Sequence, residues 1–194
     1  MIVILGLGNP EPKYEHTWHN LGFAVLDALQ ASQTEHFGAW KRRLRLHSLV
    51  SEGTWGNHKV VLAKPQTYMN RSGTAAAALL RSYRLTPQDL WVVHDEVDLP
   101  LGRHKLSTDA SAAGHKGVQS IIESLGSQAF TRFRLGIATD RLGKIPTEAY
   151  VLTSPTAPEA PKVLAMVADT GTAITQALTS NLQAVMTSYN TSVN

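Results

Sequence analysis

Two hydrophobic rhythms alternate along this chain. Ile2 to Leu7 is a continuous, branched apolar run, the pattern of a strand buried on both faces. "HKVVLAKP" (58–65), "DLWVVHDE" (89–96) and "FRLGIA" (133–138) repeat it, and Pro65 ends the second. Segment 42–50 instead alternates basic and apolar residues (Arg43, Leu44, Arg45, Leu46), as a half-exposed strand would. Between these runs the spacing becomes helical. Leu21, Val25, Ala28 and Leu29 share one face of a helix that follows Asn20, and Ser72 is placed to cap the alanine-rich helix through "AAAALLRSYR". Val118, Ile121, Ile122 and Leu125 mark a third helix. Val163, Met166, Val167, Ile174 and Leu178 mark a long C-terminal one, entered through the proline-rich loop "TSPTAPEAP".

Strands alternating with helices predict an α/β fold: a single domain over 1–194 with a mixed, twisted β-sheet flanked by α-helices. Sites in such sheets collect at the carboxyl ends of the strands. Three strand ends here carry polar clusters: Asn9 after the first, "QTYMNRSG" after "HKVVLAKP", and Asp95 after "LWVV".

Composition narrows the chemistry. The 194 residues are 43% hydrophobic and 17% charged, as in an ordinary globular protein. No cysteine is present, so disulfides, thiolate nucleophiles and zinc–thiolate sites are excluded; a reducing cytoplasm suits such a chain. No apolar run approaches the ~20 residues that span a bilayer, and "MIVILGLGNP" reads as a first strand rather than a leader. Net charge is only +3, which tolerates a polyanionic partner without requiring one.

The stretch "GLGNPEPKYEHTWHN" (6–20) invites comparison with a nucleotide loop. Where a dinucleotide fingerprint needs its third glycine, however, the chain has Glu11, whose carboxylate repels phosphate, and Pro10 and Pro12 obstruct a normal helix start. His19 and Asp95 suggest a different chemistry. An aspartate that accepts the Nδ1–H of a histidine fixes the tautomer and leaves Nε2 free to take a proton from water. A metal held by His94, Asp95, Glu96 and Asp98 is disfavoured, because adjacent strand residues point to opposite faces. Arg103, Lys105, Lys116, Arg132 and Arg134 surround a glycine-containing loop and read either as a solvated rim or as a phosphate clamp.

Four motifs in register, "GLGNP…Y…T.HN.GF", "KP.TYMN.SG", "HDE.DLPLG" and "GH.G..SI", resemble the bacterial-type peptidyl-tRNA hydrolase family from residue 2 to about residue 152. The resemblance implies a monomeric cytoplasmic α/β enzyme. It would hydrolyse the ester joining a peptide to the terminal ribose of tRNA, without metal or organic cofactor. It implies His19 as general base and Asp95 as its orienting partner. Asn9, Tyr14, Tyr68, Met69, Asn70 and Lys116 would then sit at the substrate, and Lys105 and Arg134 at the phosphate of the tRNA acceptor end. No membrane and no obligate protein partner is implied.

The chain departs from the family pattern at several places. Lys116 stands for the asparagine of "GHNG", Glu11 for the glycine of "GNPG", Trp18 for an arginine and Ser107 for a lysine. The lid "STDASAAG" is poorer in glycine and carries Asp109, which makes it stiffer. Lys116 could add a phosphate contact or depress the pKa of a neighbouring histidine. The alternative function is therefore an RNA-binding module on the same scaffold with weakened catalysis. A nucleotide-dependent oxidoreductase is the more distant option.

Overall fold

In the computed structural model, which describes residues 1–191, the apolar strand runs become the centre of a seven-stranded sheet. The strands are β1 (Ile2–Gly6), β2 (Lys41–Arg43), β3 (Ser48–Trp55), β4 (His58–Pro65), β5 (Leu90–Pro100), β6 (His104–Thr108) and β7 (Thr131–Ala138), in the order β2-β3-β4-β1-β5-β7-β6. The inner four pair in parallel, while β2, β3 and β6 join antiparallel, so the sheet is mixed. The helices are α1 (Leu21–Ser32), α2 (Ser72–Tyr83), α3 (Lys116–Leu125), α4 (Thr147–Tyr150), α5 (Ala160–Thr179) and α6 (Leu182–Thr191).

Period-two alternation divides the strands between two cores. Ile4, Leu62, Val93 and Phe133 pack under α1, α5 and α6, whereas Val3, Leu5, Ala63 and Val92 pack under α2 and α3. The start of α1 lies directly on the end of β1. A Cβ on Gly6 would stand 2.3 Å from the Gly22 carbonyl oxygen, and one on Gly22 would stand 2.3 Å from both Leu7 N and Val93 O. Only glycine permits that approach, which brings residues 17–20 against the sheet's carboxyl edge.

Several sequence expectations require correction. Segment 42–50 is not one strand: β2 stops at Arg43, Leu44–Leu46 form a 3₁₀ turn, and His47 takes a left-handed conformation (φ 48°) before β3 begins. Ser72 opens α2 rather than capping it, with its Oγ donating back to Met69 O. β5 continues to Pro100, yet its pairing with β1 ends at Gly6–Val93, so Asp95 protrudes past its neighbour without ending its own strand. The short strand β6 carries no hydrophobic pattern, and a further helix, α6, follows the expected long C-terminal one, which is α5.

The edge strand β6 is closed by a side chain. Asn190 of α6 accepts from Leu106 N at 2.7 Å through Oδ1 and donates to Leu106 O at 2.9 Å through Nδ2, replacing a ladder partner. Asn190→Ala removes both bonds at a strand edge, and we expect a loss of about 1–3 kcal/mol. Chemical denaturation measures the loss, and faster exchange of the Leu106 amide than of β5 amides locates it.

Candidate active site

Asp95 is 1% exposed and sits where the two cores meet the carboxyl edge of the sheet. Two histidines converge on it. His19, in a 3₁₀ turn before α1, places Nδ1 2.9 Å from Oδ1 and 3.0 Å from Oδ2, and His115 places Nε2 2.9 Å from Oδ1. The two rings lie 4.8 Å apart. Burial raises the Asp95 pKa, but the charges and hydrogen bonds of the two histidines outweigh it and hold the carboxyl well below the usual carboxylate range.

An ionised carboxylate only accepts hydrogen bonds, so the protons follow from the geometry. His19 Nδ1 carries a proton toward Asp95, so in the neutral ring the lone pair is on Nε2. His115 is the mirror case. Its Nδ1 accepts from Gly117 N at 3.1 Å and Val118 N at 3.3 Å, capping α3, so its proton is on Nε2 and is donated to Asp95. His115 was missed in the sequence because histidine is not among the usual N-cap residues. The available clue was the "GH" immediately before the Val118 periodicity.

His19, Asp95 and His115 also have the residue types of a metal site, with candidate ligand atoms within 4.8 Å of one another. The proton assignment argues against that use. Coordination through His115 Nε2 would displace its proton while Nδ1 still accepts two backbone N–H groups, which leaves an imidazolate. The four residues considered from sequence do not converge: Glu96 turns to Arg134, and His94 donates Nδ1–H to Asp95 O at 2.6 Å. Burial first, then the charge of His115, pushes the His94 pKa well below its ordinary value, so this ring is a neutral support beside His115.

The histidine pair opens into a cleft of about 530 Å³. The Peptidyl-tRNA hydrolase family profile matches residues 3–194. The chain belongs to this family. It is 48% identical to the peptidyl-tRNA hydrolase of Synechocystis sp. over 150 residues, covering 77% of this chain and 75% of that one. It is 41% identical to that of Carboxydothermus hydrogenoformans over 190 residues, 98% of each chain. A crystal structure of the Acinetobacter baumannii peptidyl-tRNA hydrolase superposes with a TM-score of 0.89 at 26% identity, covering 98% of this chain and 95% of that one. The protein is thus a hydrolase of the peptidyl-tRNA hydrolase family, with peptidyl-tRNA as its implied substrate. No helix among the described residues is long and apolar enough to cross a membrane.

In this hydrolase Asn9, Tyr68, Met69, Asn70 and Lys116 line the cleft with His19 and Asp95. Asn9 is locked: its Oδ1 accepts from Met69 N at 2.9 Å, while its backbone exchanges two bonds with the Asn20 amide. The Nδ2 group of Asn9 is therefore the end left to donate. Asn70 is exposed at the rim. Tyr14 does not line the cleft; it lies half-buried in its own turn, under the Lys13 ammonium at 4.8 Å. Lys105 and Arg134 face each other across β6 and β7 outside the cleft. Arg134 is only 17% exposed and pairs with the buried Glu96 carboxylate at 2.9 Å.

The departures acquire physical roles. Glu11 accepts the Tyr68 hydroxyl and pairs with Lys13 at 2.7 Å, tying two walls of the site together. Trp18 is fully buried and stacks on Tyr150, and Trp18 N and His19 N donate to Thr153 O and Val151 O. This anchors the segment around α4 beside His19. Lys116 is 61% exposed, 3.8 Å from Glu148. Asp109 and Ala113 in the lid both hold positive φ (49° and 47°), a conformation that glycine would adopt without strain.

The lowered Asp95 pKa carries a sign for stability. Its contribution is complete above the unfolded carboxyl value of about 3.9 and is lost as pH falls from there toward the folded value. The stability advantage of the parent over Asp95→Asn, measured by denaturant titration, should shrink as pH falls below about 4. A difference that grows on acidification below about pH 4 contradicts the assignment.

Proposed function

We propose that His19 is the general base of peptidyl-tRNA hydrolysis, acting on a water held in the cleft. The supporting observation is the pairing of His19 Nδ1 with a buried, ionised Asp95, which leaves Nε2 unprotonated toward the cleft. His19 Nε2 takes a proton from water as the oxygen attacks the ester carbonyl. The same proton then passes to the departing ribose oxygen, so the ring returns to its starting state. Such a base contributes about 10²–10⁴-fold. An aminoacyl ester is already activated, so this is sufficient without a metal.

Asn9 Nδ2 is the group oriented to donate to the carbonyl as negative charge develops on it. Met69, Asn70 and Tyr68 bind the peptide portion, and Lys116 stands at the rim. Lys105 grips acceptor-end phosphate. Arg134 does so to a lesser degree, because Glu96 already occupies its guanidinium. We read the enzyme as a cytoplasmic monomer that frees tRNA from prematurely released peptidyl-tRNA. Lys116 and the strained lid favour one second reading, an RNA-binding protein on this fold with weakened catalysis.

The test is hydrolysis of N-blocked aminoacyl-tRNA by the purified protein in chelator. The parent should cleave the blocked substrate, and His19→Ala should lower kcat by about 10²–10⁴-fold while still binding tRNA. A His19→Ala variant with parental rate places the base elsewhere. A parent that binds tRNA and cleaves nothing supports the binding module, and Lys116→Asn then shows whether that departure is the cause.

A further inference from the structure

The basic segment "KRRLR" (41–45) is not absorbed by the active site. The strand that would have alternated its side chains in and out ends at Arg43, and the turn that replaces it leaves Arg42, Arg43 and Arg45 exposed with Leu44, which is 73% exposed. Charge on an edge strand is often a guard against edge-to-edge pairing. Arg45 lies beyond the strand and guards no edge. Among the described residues, Arg42 and Arg45 have no acidic partner, and Arg43 has only Glu52 at 3.8 Å, a carboxylate that also accepts the Tyr83 hydroxyl.

Topology gives the cluster its position. β2 pairs antiparallel with β3 and β3 with β4, so β2 runs parallel to β4 and ends at the edge where β4 and β1 end. Gln66 N donates to His47 O at 2.7 Å, which joins the basic turn to the loop that carries Tyr68 and Met69. A groove of about 100 Å³ runs between Arg42, Arg43, Leu44, His47 and Gln66. Four strand spacings of ~4.8 Å place this turn roughly 19 Å from the strand of Asp95. Lys105 lies about 10 Å to the other side. The cleft is therefore flanked by cations on both sides along one edge.

We infer that Arg42, Arg43 and Arg45 form a second RNA-backbone contact, which engages phosphates of the tRNA body several nucleotides from the scissile ester. Arginine is suited to this, since its planar fork pairs bidentately with phosphate oxygens. A contact ~19 Å from the chemistry is out of reach of a terminal nucleotide, so it discriminates whole tRNA from short esters. The inference rests on the hydrolase reading for the identity of the RNA.

The experiment compares R42Q/R43Q/R45Q with the parent and with K59Q/R81Q/R84Q. The latter removes three exposed cations at the opposite end of the sheet. Two substrates are used, full-length N-blocked aminoacyl-tRNA and an N-blocked aminoacyl trinucleotide, and tRNA affinity is measured across a salt series. R42Q/R43Q/R45Q should bind full-length tRNA at least about ten-fold more weakly at low salt. Its slope of log affinity against log salt should be shallower by about two to three, and its rate on the trinucleotide should be unchanged. Affinity and slope equal to those of K59Q/R81Q/R84Q overturn the inference, as does an equal loss on the trinucleotide. If the parent cleaves neither substrate, the hydrolase reading fails while the salt series still decides the contact.

Discussion

One buried carboxylate sets the chemistry of this molecule. Asp95 receives a proton donor from His19 on one side and another from His115 on the other, in a place with almost no solvent. Desolvation alone would neutralise such a group. Two donors keep it ionised, and the ionised state in turn dictates which nitrogen of each ring carries hydrogen. His115 has no freedom in this arrangement, because its other nitrogen caps α3. The consequence is that, in the neutral ring, the lone pair of His19 is on Nε2, the nitrogen not engaged by Asp95.

The fold exists around that carboxylate in a specific sense. β5 outruns β1, which carries Asp95 past the neighbouring strand end, and the Gly6–Gly22 contact lets α1 settle close enough to bring His19 to it. Trp18 and Tyr150 then pin the segment around α4 beside the same residues. Substitutions that depart from the family pattern reinforce this frame in two cases. Glu11 ties Tyr68 to the loop that follows β1, and Trp18 fills core. In the lid the effect is the reverse, since Asp109 and Ala113 occupy backbone conformations better suited to glycine.

Much of this was legible in the sequence, for definable reasons. The parallel strands read as unbroken apolar runs because they are buried on both faces, and polar residues at their ends marked the site edge. The pairing of His19 with Asp95 was legible because an aspartate that accepts an Nδ1–H is a recurrent way to orient a histidine. His115 was not, since it acts partly as a helix cap, a role no local rule assigns to histidine. Alternation misled at 42–50, where Leu44–Leu46 form a turn that buries only Leu46 and His47 then turns the chain. β6 was invisible because its edge is satisfied by Asn190, 84 residues away, rather than by pattern. Tyr14 belonged to the motif but not to the cleft, a distinction that only packing makes.

The shared-carboxylate account makes a claim about two individual protons. Nitrogen-15 NMR of the histidine side chains at neutral pH reads them directly. The account predicts His19 protonated on Nδ1 and bare on Nε2, with His115 the opposite tautomer; in Asp95→Asn the His19 signature is lost, while the α3 cap keeps His115 protonated on Nε2. A His19 protonated on Nε2, or a His115 protonated on Nδ1, would contradict it.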